Sequence, residues 1–371
     1  MEAKDVMTTN VITVPPDAKV EEIADLLLTN HISVIPGDIG TSDLVMSHTS
    51  VNFDRTGFQQ DLNVVFPLDR LNELADEGVI GSVAGFHCSF MGVTDPREME
   101  STARHPAVIG SEGAGVIEAV GPDTQDFKPG DRVSHCAVLG SYAERMVIDA
   151  RRLVAVPDGV SDEQAGASTL RGLTAQYLIN STYAVQPGDT IVVHAAAGGM
   201  GLLLCQWAKH IGATVIGTVG SDAKAELAQA YGCDHPIVYT REDFVTRVKE
   251  ITDGQGVPVV YDAVGQDTFD GGLECLRPMG TMAFYGSSSG MPPPLDLNRL
   301  GAKSLWVTRA SLPNFIATRE ALVSRAAEFF GLVADGAIKI QIGQRYPLAE
   351  AAQAHRDLEE RRTTGSSILL P

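Results

Sequence analysis

The residues best placed to do chemistry together are a glycine cluster, Ala197-Gly198-Gly199-Met200-Gly201. An apolar run of strand length, Ile191–Ala196, leads into it. Leu202–Ile211 follows, with Leu203, Trp207, Ala208 and Ile211 on one helical stripe. Gly212 stops that helix, and Thr214–Val219 reads as the next strand. A glycine-rich turn between a buried strand and a helix start is a dinucleotide pyrophosphate site. Without side chains the backbone can approach the phosphates, and the unpaired N–H groups of the helix start face them. No Gly-Lys-Ser/Thr follows the glycines, which excludes a P-loop.

The end of the second strand selects the cofactor. Sites for NAD place an Asp or Glu there, accepting hydrogen bonds from the ribose 2′-OH. Here the strand ends at Val219, and Gly220-Ser221-Asp222-Ala223-Lys224 follows. Ser221 and Lys224 stand one helical turn apart. A hydroxyl and an ammonium so spaced suit a 2′-phosphate, which predicts NADPH over NADH. Asp222 would repel that phosphate if it turned inward.

Two further patterns carry less chemistry than they suggest. Gly286-Ser287-Ser288-Ser289-Gly290 has the Gly-x-Ser-x-Gly form, but a nucleophile elbow must lead into a helix. Met291-Pro292-Pro293-Pro294 follows instead, so the stretch reads as a cofactor-facing loop. The five cysteines, Cys88, Cys136, Cys205, Cys233 and Cys275, have no C-x-x-C spacing. They read as buried or idle thiols rather than a redox pair or zinc knuckle.

The elements that must hold the glycine turn are strands alternating with helices over residues 190–286, the pattern of a parallel doubly wound sheet. Upstream, Ile109–Ile117 is a glycine-interrupted strand of the kind found in a compact β-barrel. Lys128-Pro129-Gly130-Asp131 is a turn before a further strand. At the N-terminus, Val11-Ile12-Thr13-Val14 is a β-branched run. Pro15-Pro16-Asp17 opens a helix over Val20–Asn30, and Ile32–Pro36 is a second strand. Between them and the barrel, Asp61–Leu74 reads as a strand then a helix, and Val79–Ala84 as a strand.

Residues 106–371 resemble the quinone oxidoreductase branch of the medium-chain dehydrogenase/reductase superfamily, which includes ζ-crystallin. Gly140-Ser141-Tyr142-Ala143-Glu144, Gly172-Leu173-Thr174, the glycine turn and Val260-Tyr261-Asp262-Ala263-Val264-Gly265 carry the resemblance. Phe284–Gly290 and Arg361-Arg362-Thr363-Thr364-Gly365-Ser366-Ser367 extend it. The resemblance implies that Thr174, Gly198, Gly199, Met200, Gly201, Ser221, Lys224, Tyr239, Ser288 and Arg361 contact NADPH, Tyr239 and Arg361 near the adenosine phosphate. It also implies a homodimer built through the cofactor domain. Zinc-dependent members of the superfamily carry a Gly-His-Glu triplet and a cysteine-rich lobe. Here the triplet reads Gly110-Ser111-Glu112 and the lobe is absent, so no metal ligand set is assigned. That favours direct hydride transfer to a quinone or activated enone. Solvent supplies the proton, and no side chain is assigned as acid or base.

Residues 1–36 are similar to the first half of a CBS domain, from Val6-Met7-Thr8 through Leu26–Pro36. Residues 37–104 are similar to a segment of glycine/betaine/D-proline reductase B-type subunits. Ser47-His48-Thr49-Ser50, Phe53–Gly57, Asp69-Arg70-Leu71 and Phe90-Met91-Gly92 carry that likeness. The joins at Pro36-Gly37 and His105-Pro106 read as splices, and the chain as a chimera. The domain plan is a partial CBS-like segment (1–36) and a reductase-B-like segment (37–104). A GroES-like barrel lacking its N-terminal part follows (105–170 and 308–371), with an NADPH-binding Rossmann domain (171–307). The fold class is α/β: a doubly wound parallel sheet, a partial barrel and an atypical α/β N-terminal extension. A half barrel leaves strand edges open, so either residues 37–104 pair with them or that region has little order.

The leading functional reading is an NADPH:quinone or enone reductase. The alternative is an NADPH-binding protein with little turnover, since the family's N-terminal substrate wall is replaced. A third reading, an adenosyl-ligand sensor in residues 1–36, lacks a complete cleft. The net charge of −19, of which roughly −11 falls in residues 1–105, argues against nucleic-acid or anionic-membrane partners. With no basic apolar leader and no run of about 18 apolar residues, the sequence reads as cytoplasmic.

Overall fold

The computed structural model describes residues 10–12, 45–48, 63–66, 109–121, 124–360 and 362–371, the first three stretches as backbone strands. The helix expected over Val20–Asn30, the strands over Ile32–Pro36 and Val79–Ala84, Cys88 and Arg361 lie outside the described residues.

In chain order the strands begin with β1 (Asn10–Ile12), β2 (Val45–His48), β3 (Asn63–Phe66), β4 (Glu112–Ala119), β5 (Arg132–Cys136), β6 (Arg145–Val147) and β7 (Leu153–Ala155). Helices α1 (Asp162–Gly166) and α2 (Thr169–Tyr177) follow. Then come β8 (Thr190–Val193), α3 (Gly199–Ile211), β9 (Thr214–Val219), α4 (Asp222–Ala230), β10 (His235–Val238), α5 (Phe244–Ile251), β11 (Val257–Asp262), α6 (Phe269–Cys275) and β12 (Leu276–Phe284). The chain closes with α7 (Asn298–Gly301), β13 (Trp306–Arg309), α8 (Leu312–Phe315), α9 (Arg319–Ala334), β14 (Ile342–Pro347), α10 (Ala351–Glu359) and β15 (Ser366–Leu370). Two compact units result. One contains the chain up to Leu170 with Ile342–Thr363 and Ser367–Pro371; the other contains Arg171–Gln341 and Thr364–Ser366.

The first unit is built on a five-stranded sheet, ordered β6-β1-β4-β5-β7. β4 and β5 pair antiparallel, Glu112 opposite Cys136, and the Lys128–Asp131 turn joins them. Gly130 takes φ +90 there, and the Asp131 carboxylate accepts the Lys128 N–H at 3.0 Å. Ile117, Phe127, Val133, Met146, Ile148 and Leu153 form the core. The slot between β4 and β6 is filled by β1. β1 runs parallel to both, with Asn10 opposite Val116 and Arg145. An extended β-branched Val11-Ile12 suits that slot. β2 and β3 pair with each other instead, as a separate antiparallel ladder.

The second unit is a six-stranded parallel sheet, ordered β10-β9-β8-β11-β12-β13. The chain starts in the middle at β8, winds outward through β9 and β10, then returns to the other side of β8 with β11. The switch point between β8 and β11 is where open α/β sheets bind ligands. Val192, Ile216, Val260, Phe269, Met282 and Phe284 belong to the core beneath it. Residues 308–341, expected with the barrel, belong to this unit. Phe329 on α9 stacks near Trp207 on α3, at 6.2 Å between centroids. The Gln206 amide donates to the Lys339 carbonyl at 3.1 Å and accepts the Lys339 N–H at 2.8 Å. Trp207 and Phe329 are fully buried, and that apolar burial anchors the segment.

Candidate functional site

Because the six strands are parallel, the loops that leave β8, β9, β10, β11 and β12 all emerge at one edge of the sheet. The glycine turn leaves β8. Its approach is pinned on both sides: the His194 N–H donates to the Tyr261 carbonyl at 3.0 Å, and the Ala196 N–H to the Thr218 carbonyl at 3.0 Å. Ala195 adopts φ +53, and its carbonyl accepts the Gly198 N–H at 2.9 Å, closing the turn. Gly198 is the extended residue before α3. The first α3 N–H to reach a helix carbonyl is that of Leu202, which donates to Gly198 at 2.9 Å. Those of Gly199, Met200 and Gly201 precede it, without an intrahelical acceptor.

The glycines are required by packing. A Cβ on Gly201 would stand 2.6 Å from the Ala196 Cα and carbonyl carbon, and closer still to the Ala195 oxygen. A Cβ on Gly199 would overlap the Arg171 guanidinium and lie 3.3 Å from the Gly365 oxygen. Gly198 and Gly365 form a parallel bridge, so the terminal Thr364-Gly365-Ser366 stretch is tied to the turn. Thr174 lies on α2, half-buried, one helical turn beyond Arg171. Arg171 was missed in the sequence; only the fold carries a residue before the Gly-Leu-Thr motif onto the glycine turn.

The loop leaving β9 caps α4. The Ser221 hydroxyl accepts the Lys224 N–H at 3.4 Å. The register of β9 and β10 sets Val219 beside Val238, and the Tyr239 N–H donates to the Val219 carbonyl at 3.1 Å. The Tyr239 phenol then stands over Gly220, whose Cβ would lie 2.9 Å from the hydroxyl. Tyr239 is 52% exposed. Ser221, Lys224 and Tyr239 are thus gathered at one sheet edge. Asp222 is bound by Arg241 through two bonds, at 2.6 and 2.8 Å. That hydrogen-bonded guanidinium holds the Asp222 carboxyl below the usual carboxylate range. Arg241 was also missed, because no sequence spacing links it to Asp222.

The loop leaving β12 is sewn to the one leaving β11. The N–H groups of Ser288 and Ser289 donate to the Ala263 and Val264 carbonyls at 3.1 and 2.9 Å. The Ser289 hydroxyl donates to the Val264 carbonyl at 2.8 Å. The buried Asp262 carboxylate accepts the N–H groups of Val264 and Gly265, at 2.7 and 3.1 Å, and the Thr268 hydroxyl at 2.9 Å. No helix follows Ser288 before α7. The serines therefore occupy a braced loop, without the strand-to-helix geometry of a nucleophile elbow.

Ser111 offers a hydroxyl where an imidazole would be needed. Cys136, Cys205, Cys233 and Cys275 are buried free thiols, and burial pushes the Cys275 thiol up to about 12. Among the described residues no group of three His, Cys, Asp or Glu side chains could hold a metal ion.

Comparison with known proteins places this geometry in a class. A family described as zinc-binding dehydrogenase matches residues 199–328, and the alcohol dehydrogenase GroES-like domain matches 86–158. A CBS domain family matches residues 3–36. The segment 37–104 was expected to be reductase-B-like, but from residue 86 onward it falls within the GroES-like match. The quinone oxidoreductase of Pseudomonas aeruginosa is 49% identical over 72% of this chain and 82% of its own length. The 2-haloacrylate reductase of a Burkholderia species is 43% identical over 72% of this chain and 81% of its own. The crystal structure of the Escherichia coli quinone oxidoreductase complexed with NADPH superposes with a TM-score of 0.71 at 43% identity. That match covers 76% of this chain and 88% of that one. The chain belongs to the quinone oxidoreductase branch of the medium-chain dehydrogenase/reductase superfamily.

Proposed function

We propose that this protein is an NADPH-dependent oxidoreductase that reduces a quinone or activated enone by direct hydride transfer, without zinc. One observation carries the cofactor assignment. The end of β9 presents Ser221, Lys224 and the Tyr239 phenol, and the nearby carboxylate, Asp222, is held by Arg241. When bound, NADPH supplies the hydride. Gly198, Gly199, Met200 and Gly201 hold its pyrophosphate, because their backbone comes close and the first N–H groups of α3 carry the positive end of the helix dipole. Ser221, Lys224 and Tyr239 hold the 2′-phosphate with Arg361 near it, while Thr174 and Ser288 contact the remainder. The braced loops after β11 and β12 present a preformed surface, so little ordering accompanies binding.

Zinc independence is supported by the side chains themselves: Ser111 replaces the imidazole, and no described cluster suits the metal. The quinone or enone class comes from the relatives: quinone oxidoreductases and a reductase of 2-haloacrylate, an activated alkene. A homodimer through the cofactor unit is supported by β13, an edge strand with Trp306 67% exposed; light scattering on gel-filtered protein tests it. A cytoplasmic location is consistent with the absence, among described residues, of any helix long and apolar enough to cross a membrane.

The test pairs NADPH oxidation with 1,4-benzoquinone and NADPH binding by fluorescence. Turnover with NADPH, and weaker binding of NADH, are expected. Lys224→Ala is expected to weaken NADPH binding about tenfold, the scale of one charge-assisted hydrogen bond, and to spare NADH. Equal affinity for the two cofactors refutes the assignment. Binding without turnover favours a second reading, a cofactor-binding protein. That reading draws on the CBS match at residues 3–36, ahead of a GroES-like match that begins only at 86.

A further inference from the structure

The Asp222–Arg241 pair makes none of the proposed cofactor contacts, yet it borders the residues assigned to the 2′-phosphate. Asp222 is the first residue of α4, directly after the cap Ser221 and two before Lys224. A carboxylate in the first turn suits the helix dipole. The same carboxylate is adverse to a phosphate monoester, which carries about two negative charges near neutral pH. Its charge is not relieved by protonation, since Arg241 keeps the carboxyl well ionised. Relief has to come from a cation.

Arg241 supplies it from the neighbouring loop. With Val219 beside Val238, Ser221 and Arg241 continue from adjacent strand ends. Both terminal nitrogens of Arg241 bind Asp222, at 2.6 and 2.8 Å, a bidentate fork. Glu242, the other carboxylate near Arg241, lies 4.0 Å from its Nε. Glu242 has its own partners: it accepts the Val238 N–H at 3.1 Å and faces Arg247 at 3.4 Å. Arg241 is therefore committed chiefly to Asp222, while Lys224 has no ion pair among those described.

We propose that Arg241 is a specificity-determining positioning residue. By clamping and neutralising Asp222 beside Ser221 and Lys224, it sets the preference for a cofactor bearing a 2′-phosphate. Without Arg241, the unpaired Asp222 carboxylate repels the 2′-phosphate and leaves a ribose 2′-OH unaffected. This inference rests on the assignment of Ser221, Lys224 and Tyr239 to the 2′-phosphate.

The test is a double-mutant cycle on the full chain, reading the dissociation constants of NADPH and NADH by fluorescence. Arg241→Gln is expected to weaken NADPH binding about fivefold, the upper range for an exposed charge, with NADH unchanged. Asp222→Asn in that background is expected to restore most of the NADPH affinity, a rescue that a merely structural role would not produce. Arg241→Lys, which keeps the charge but not the fork, is expected to fall between. Melting temperatures of all variants exclude unfolding as the cause. A wild-type chain with equal affinity for both cofactors would remove the 2′-phosphate assignment, and this inference with it. A wild type that prefers NADPH, beside an Arg241→Gln variant with an unchanged NADPH/NADH ratio or no rescue by Asp222→Asn, would overturn the inference alone.

Discussion

His135 sits on β5 between Gly113 of β4 and Leu153 of β7, 1% exposed. Neither ring nitrogen has a hydrogen-bond partner. Burial disfavours the imidazolium and lowers the pKa from 6.5 to about 4. The folded chain therefore keeps this imidazole neutral where the unfolded chain protonates it. Stability from this group is complete above pH 6.5, falls as the pH drops below that value, and is gone by about pH 4. At about 1.4 kcal/mol for each pH unit, the loss over that window is about 3 kcal/mol. The perturbation is His135→Leu, which removes the titration and keeps an apolar side chain in the barrel. Urea unfolding at several pH values, followed by a probe in the first unit, compares variant with wild type. His194, also buried and held neutral, titrates in both proteins and cancels in the difference. The wild type is expected to lose about 3 kcal/mol more than the variant between pH 7 and pH 4. Parallel pH profiles, or an NMR titration of His135 with a midpoint near 6.5, would refute the reasoning.

Other perturbations test the remaining parts. Gly201→Ala drives a Cβ into the Ala195–Ala196 backbone; it is expected to cost about 1–3 kcal/mol of stability and to abolish tight NADPH binding. A melting curve and a fluorescence titration check it. Gly110→Ala places a side chain at φ +88, 2.9 Å from the Tyr142 Cε1. A destabilisation of about 1–3 kcal/mol is expected, and a melting temperature equal to the wild type would contradict it. Treatment with EDTA followed by gel filtration is expected to leave NADPH-dependent benzoquinone reduction unchanged. A loss of turnover restored by zinc would sink the zinc-free proposal.

Much of the cofactor unit was legible because its signals are local. Gly212 ends α3 at φ +99, as a helix-stopping glycine does. The apolar run into the glycine turn, and the Ser221–Lys224 spacing after β9, are set by residues close together in sequence. The Lys128–Asp131 turn was readable for the same reason. The barrel edge was not. Nothing local indicates that Asn10–Ile12 pairs with strands more than a hundred residues later, since many short β-branched runs fit such a slot. Nor was the place of residues 308–341 legible, because burial of Phe329 beside Trp207 joins segments far apart in sequence.

The sequence by itself determined the chemistry class of the site: a strand, a glycine turn and a helix start for a pyrophosphate, and a strand end without a carboxylate. Each depends on backbone geometry that neighbouring residues impose. Tertiary structure alone decided which distant charges attend that site. Arg171 reaches Gly199 by helix packing, and Arg241 reaches Asp222 by the register of two parallel strands. Asp222, adverse to a phosphate when read in isolation, is neutralised by a residue whose proximity only the sheet creates. Electrostatic energy depends on distance in space, and separation along the chain does not report it.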